Sequence, residues 1–322
     1  MNRITVMATT LFATLTLAAT AAAGAESHYG SVGIYGNAWL NYALKQPKVF
    51  DTFMYQGRLT KTPPEQIAAD LRRISGAGMS VFLDAQFFET GDQRGAREGA
   101  PPLRDLSYYE GAFAPLLTQN DLKIDNVAIE EENIPEGGHA ELLSGLYQNL
   151  KQRYPSQSFY QWYRPRRLPT PPIPGGEWPN LPADGWVIDQ YALEGKDFVK
   201  YVHSIKALGK PVMLIVWACP QWKIGDHTRS LNTSWWNEKG WRIFYSQIAI
   251  ASHEDLPTMF FMFARATGDK QGTTPLYRST DQCDAKFLDR FVADTIPAIK
   301  SGKRLPLEPP SQRPEWIPGG CG

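Results

Sequence analysis

Residues 51–86 read DTFMYQGRLTKTPPEQIAADLRRISGAGMSVFLDAQ and hold a strand, a helix and a second strand in one stretch. The run 51–57 is short, aromatic and apolar, as strands are. Thr62-Pro63-Pro64-Glu65 then opens a helix with a cap and early prolines, and Gly76 and Gly78 close it. Between them Ile67, Leu71 and Ile74 repeat at helical spacing. The run 80–89, SVFLDAQFFE, reads as the second strand. A helix joining two such runs argues for parallel strands with the helix packed outside them.

The same alternation extends in both directions. Further apolar runs lie at 31–36 (SVGIYG), 126–132 (NVAIEEE), 158–163 (SFYQWY), 185–192 (GWVIDQYA), 211–218 (PVMLIVWA) and 258–266 (TMFFMFARA), which makes eight. Helical patterns fall near 107–119, 139–153, 195–208, 235–251 and 284–300. Eight strands alternating with helices predict a (β/α)8 TIM barrel, a single α/β domain. A doubly wound open sheet is the alternative. No Gly-x-Gly-x-x-Gly turn follows the first strand, so nothing supports nucleotide binding. Two places depart from the repeat: a weak first crossover (38–49), and a Pro-rich loop (164–185) after strand five, where a helix is expected.

Residues 1–25 read as a signal peptide. Arg3 gives a positive start, small and apolar residues follow, and Ala23-Gly24-Ala25 fits a signal-peptidase site with cleavage after Ala25. The expectation is a secreted or periplasmic protein with its barrel at 26–305 and a C-terminal tail at 306–322. No later segment is long and apolar enough to span a membrane. Thirty-three basic and thirty-three acidic residues balance, with no basic block, which argues against nucleic acid or anionic membrane as a partner. An oxidising compartment favours one disulfide among Cys219, Cys283 and Cys321, with the pairing left open. The five histidines are scattered and there is no Cys-x-x-Cys, so neither a metal site nor a cofactor is expected.

Barrel active sites gather at the C-terminal ends of the strands. Those ends carry Asp84, Gln86 and Glu89, then Glu130, Glu131, Glu132 and Asn133, then Gln161, Trp162 and Tyr163. Asp189, Gln190 and Tyr191 follow, then Trp217 and Arg265. Acids, amides and aromatic rings around one mouth suit a hydroxyl-rich substrate, and carbohydrate fits best. In strand four, side-chain alternation turns Val127 and Ile129 toward the helices and Ala128, Glu130 and Glu132 into the barrel. Glu130 and Glu132 then lie about 6–7 Å apart at Cα. Two inward carboxylates so close push one pKa up and leave an acid beside a charged partner. Glycoside hydrolysis needs that division.

DNVAIEEE (125–132) is similar to the strand-four signature Asp-x-x-Asp-x-Asp-x-Glu of the chitinase-type and hyaluronidase-type glycosidases. The resemblance covers some ten residues of the 322. It aligns Asp125 with the first Asp, Glu130 with the last Asp and Glu132 with the catalytic Glu. It implies that Glu132 protonates the leaving oxygen while Glu130 supports a substrate N-acetyl group acting as nucleophile. Tyr191, in DQYA, looks like the Tyr that holds that group. Ala128 and Ala192 stand where the signature and its strand-six counterpart have Asp, and no Trp ends strand eight. The two-glutamate barrel design is disfavoured too, because strand seven meets no carboxylate before Asp226.

The expected catalytic set is therefore Glu132, Glu130 and Asp189. The expected substrate-binding set is Asp84, Gln86, Trp162, Tyr191, Trp217 and Arg265, with Trp162, Trp217 and Trp222 as sugar platforms. A carbohydrate-binding barrel without turnover is the rival from another class.

Overall fold

The structure, a computed structural model, describes residues 31–46, 48–86, 104–130, 139–163, 181–189, 193–218, 240–261 and 289–317. Eight parallel strands close into a barrel in sequence order. They are β1 (Val32–Tyr35), β2 (Thr52–Gly57), β3 (Ser80–Ala85), β4 (Asn126–Glu130), β5 (Ser158–Tyr163), β6 (Gly185–Asp189), β7 (Val212–Trp217) and β8 (Thr258–Phe261). β8 pairs with β1 in parallel, Tyr35 opposite Phe261, so no strand edge is left open. The open-sheet alternative is excluded.

Helices α1 (Leu40–Leu44), α2 (Pro64–Gly76), α3 (Leu106–Leu117), α4 (His139–Arg153), α5 (Gly195–Lys206) and α6 (Trp241–Glu254) lie between the strands. A π-helical turn, Phe291–Thr295, runs into α7 (Ile296–Lys300). The weak first crossover is a 3-10 turn, Asn37–Trp39, continued by the five-residue α1. The start of α2 corrects the cap expected at Thr62: Pro63 occupies that position and no side chain caps the helix. Proline needs no partner for its missing N–H there. The signal-peptide segment, the Pro-rich stretch 164–180 and the three cysteines lie outside the described residues.

Two apolar layers follow from strand alternation. Val32, Ile34, Val81, Leu83, Val127, Ile129, Ile188, Leu214 and Phe260 face outward and pack under the helices. Met54, Phe82, Ala128, Val187, Met213, Ile215 and Met259 fill the barrel interior. Glycine makes room where a large inward neighbour needs it. A Cβ on Gly185 would stand 2.3 Å from Tyr160 Cε1, and one on Gly33 would stand 2.2 Å from Met259 Sδ. Burial, then the charge of Asp184, raises the Tyr160 hydroxyl above its ordinary pKa and keeps it protonated.

One device repeats at the N-terminal rim. Asp51, Asp125 and Asp184 each immediately precede an even-numbered strand and clasp the preceding odd-numbered one by two bonds. Their carboxylates accept from Val32 N (3.0 Å), Val81 N (2.7 Å) and Phe159 N (2.9 Å). Their own N–H groups donate to the carbonyls of the same three residues. Each Asp also meets a lysine: Lys300 at 2.7 Å, Lys123 at 3.3 Å and Lys151 at 2.5 Å, respectively. Asp125 is thus committed to joining β3 and β4 at the end of the barrel associated with stability.

The chain after α7 docks on α6. Ser252 Oγ accepts from Leu305 N and His253 Nε2 meets Leu305 O at 2.7 Å. The Trp316 ring lies 6.1 Å from that of Tyr245, and Ile317 is buried.

Candidate active site

The C-terminal mouth is built outward from Tyr35, the last residue of β1. Strand parity sends its ring inward, and Gly36, at φ 111°, turns the chain away immediately afterwards. Asn37 then holds β2 in place: its Nδ2 donates to Gln56 O and its Oδ1 accepts from Gln56 N, both at 2.8 Å.

Around the Tyr35 hydroxyl four side chains form one network. Tyr35 Oη donates to Asp84 Oδ2 at 3.0 Å. Gln56 Nε2 donates to Tyr35 Oη at 2.6 Å. Gln86 Nε2 lies 2.7 Å from Asp84 Oδ2 and 3.2 Å from Tyr35 Oη, bridging both. Asp84 is 0 % exposed, and a carboxylate buried that completely is retained only with donors gathered round it. The β2–β3 register, Gln56 opposite Asp84, brings these residues to one level.

From the opposite wall, Trp162 on β5 reaches across the barrel to Tyr35, with ring centroids 5.1 Å apart and planes inclined at 57°. Trp162 is 2 % exposed. Its Cα partners are Glu130 on β4 and Val187 on β6. The two rings floor the mouth above the apolar interior.

Gln161 corrects an expectation. Expected at the mouth with Trp162, it faces the helix layer because its parity is opposite. It is buried there, accepts from Tyr147 Oη at 2.8 Å, and donates to Ile129 O and Trp162 O. Burial, with the charge of Asp184, keeps Tyr147 protonated by raising its pKa well above the ordinary range. Gln161 is therefore a strap that fixes the backbone beside Glu130 and Trp162.

Of the expected site residues, Asp84, Gln86 and Trp162 come together. Asp189 ends β6, 4 % exposed, opposite Ile215 of β7. Glu130 ends β4 with the parity of Ala128, and Trp217 ends β7, so both backbones reach the same rim. Glu132, Tyr191, Trp222 and Arg265 lie outside the described residues. Tyr35, Gln56 and Asn37 were absent from the expected set. The signal for two of them was present: a tyrosine and a glutamine at the last inward positions of SVGIYG and DTFMYQG. Among the described residues no cluster of His, Cys, Asp and Glu could hold a metal ion. No described helix is long and apolar enough to cross a membrane.

The arrangement gathers buried carboxylates from β3 and β6, amide donors and a pair of inclined rings at the strand ends. It can orient hydroxyl groups and hold charge in a partly desolvated mouth. No protein-family model and no curated protein matches the chain. Solved structures similar to it include a D-psicose 3-epimerase from Clostridium cellulolyticum H10, with TM-score 0.42 and 14% identity over 84% of this chain and 98% of that one. A broad-specificity endoglucanase from an uncultured bacterium aligns with TM-score 0.43 and 10% identity, over 74% of this chain and 88% of that one. A β-D-glucuronidase of Dictyoglomus thermophilum aligns with TM-score 0.45 and 11% identity, over 72% of this chain and 43% of that one. Likenesses this distant carry no statement about chemistry, which rests on the residues of the mouth.

Proposed function

We propose that the protein is an exported glycoside hydrolase that cleaves a poly- or oligosaccharide by carboxylate general acid/base catalysis. One observation carries the reading: the acid run that begins at Glu130 starts on the rim where Asp84 and Asp189 are already buried. Glu132 protonates the glycosidic oxygen as the bond to the anomeric carbon breaks. Water, or a substrate acetamido oxygen, attacks that carbon, with Glu130 or Asp189 activating the attacking group. Asp84 and Gln86 orient sugar hydroxyls, joined by Tyr191, Trp217 and Arg265. Export follows from the leader at 1–25, and N-terminal sequencing of secreted material beginning at Glu26 tests it.

A second reading, a barrel that binds carbohydrate without turnover, is favoured by Ala128. This residue is buried in the inner layer and supplies no carboxylate where the signature has its middle Asp. The two readings separate on a glycan panel assayed for both binding and release of reducing ends. Product formation that is lost in Glu132→Gln supports hydrolysis. Binding with no product under any condition supports the second reading and ends the first.

A further inference from the structure

Trp162 was expected to act as a sugar platform, and the geometry assigns it a different part. Its ring is 2 % exposed and lies against Tyr35 at 5.1 Å, so stacking on a sugar would require the two rings to separate. Its polar atom is the unusual feature. Trp162 Nε1 is buried and has no hydrogen-bond acceptor among the described residues. A buried indole N–H ordinarily finds a partner, and one left without an acceptor is a standing cost to the fold. The neighbouring donors are committed inside the Tyr35 network: Gln56 Nε2 to Tyr35 Oη, and Gln86 Nε2 to Tyr35 Oη and Asp84 Oδ2. The indole N–H, by contrast, is buried without an acceptor. It sits on the inward face of β5 with Glu130 as its Cα partner, one strand from the acids.

We propose that Trp162 is a specificity-determining residue whose indole N–H donates to a hydroxyl oxygen of a bound sugar, within the carbohydrate site proposed above. Asp84 and Asp189 are carboxylates at the same rim.

The test uses the full-length protein with nitrogen-labelled tryptophan. The indole N–H signal of Trp162 is identified by its loss in Trp162→Phe, which keeps an aromatic ring against Tyr35. The probes are soluble neutral oligosaccharides of gluco, xylo, manno, galacto and N-acetylglucosamine type, together with their uronic counterparts. The expected result is that an oligomer of the panel binds and moves the Trp162 indole proton downfield. Trp162→Phe then weakens that binding by about three- to tenfold, the usual worth of one neutral hydrogen bond, with the unfolding midpoint checked to show that the variant is folded. Binding of a glycan that leaves the Trp162 signal in place overturns the assignment while leaving the carbohydrate reading intact. If no member of the panel binds, the carbohydrate reading falls and this assignment falls with it.

Discussion

Tyr35 and Trp162 stand on strands at opposite sides of the barrel, yet their rings meet with centroids 5.1 Å apart. The contact joins an apolar partner to a polar network, since the Tyr35 hydroxyl also donates to Asp84 and accepts from Gln56. Tyr35→Phe isolates the polar half. The ring contact survives, while buried Asp84 loses a donor and Gln56 Nε2 its acceptor. The expected loss is about 1–3 kcal/mol, the cost of leaving buried polar groups unmatched, read from denaturant midpoints. Coupling between Tyr35→Phe and Asp84→Asn in a double-mutant cycle should exceed about 0.5 kcal/mol. Additive effects would show that the network does not act as a unit.

Gly185 tests how tightly the barrel interior is filled. A methyl group there meets Tyr160 Cε1 at 2.3 Å, Tyr160 Cδ1 at 2.6 Å and Pro211 O at 2.9 Å. Two of these belong to a rigid ring and the third is backbone, so nothing nearby can give cheaply. Gly185→Ala should destabilise by about 1–3 kcal/mol through overpacking, visible as a lower unfolding midpoint. By contrast, Gly76→Ala meets nothing within 4 Å. It should be neutral or stabilising, since Ala is the better helix former.

The rim aspartates give a prediction about position rather than chemistry. Removing the Asp184 carboxylate in Asp184→Ala leaves Phe159 N–H without its acceptor and Lys151 without its 2.5 Å partner. Asp51→Ala and Asp125→Ala repeat the injury at β1 and β3. Each should cost about 1–3 kcal/mol, measurable by chemical denaturation. Three similar values would establish the repeated clasp; a single outlier near zero would show that its lysine or water replaces it.

How far this was legible depends on which signal is local. The eight strands could be read because apolar runs bounded by turn residues are a property of short windows, and β5 was placed at 158–163 to the residue. Strand parity was equally readable in β4, where Val127 and Ile129 do face the helices and Ala128 the interior. Gln161 escaped because a glutamine at a strand end looks like a site residue until its parity is compared with Trp162. The Tyr35–Asp84 bond escaped for another reason. It joins residues 49 apart through the curvature of a closed sheet, and no window of sequence contains that closure. Asp125 shows the opposite hazard. It fits a motif by spacing, yet the fold uses it as a clasp on Val81 at the other end of the strand.

The acid run that begins at Glu130 predicts an asymmetry. If Glu132 donates the proton, Glu132→Gln should lower kcat by about 10²–10⁴ on ordinary substrates. Much of that rate should return on substrates whose leaving group needs no protonation. Glu130→Gln should slow both kinds of substrate, because assistance to the attacking group is required in each. Steady-state kinetics on a natural glycan and an activated aryl glycoside distinguish the roles, and equal loss on both substrates in the Glu132 variant would remove it as the acid.

Glu254 supplies the pH dependence. It ends α6, where the helix dipole disfavours a negative charge, but Lys206 Nζ donates to its Oε2 and His203 Nε2 lies 2.9 Å from its Oε1. Hydrogen bonding from Lys206, opposed by burial and aided by the bond from His203, holds the Glu254 carboxyl below its ordinary pKa. A lowered folded-state pKa means that the unfolded chain takes up the proton first. The stabilisation is therefore fully present above the unfolded value of about 4.3 and disappears as pH falls through the lower folded value. Lys206 and Glu254 are both partly exposed, at 36% and 24%, so solvent screening limits the contribution to about 0.5–1 kcal/mol. Wild type should accordingly exceed Glu254→Gln in unfolding midpoint from neutral pH down to the ordinary carboxylate range. The margin should then close on further acidification, and a difference that persists unchanged to pH 2 would show that packing of the side chain, not its charge, is what α6 uses.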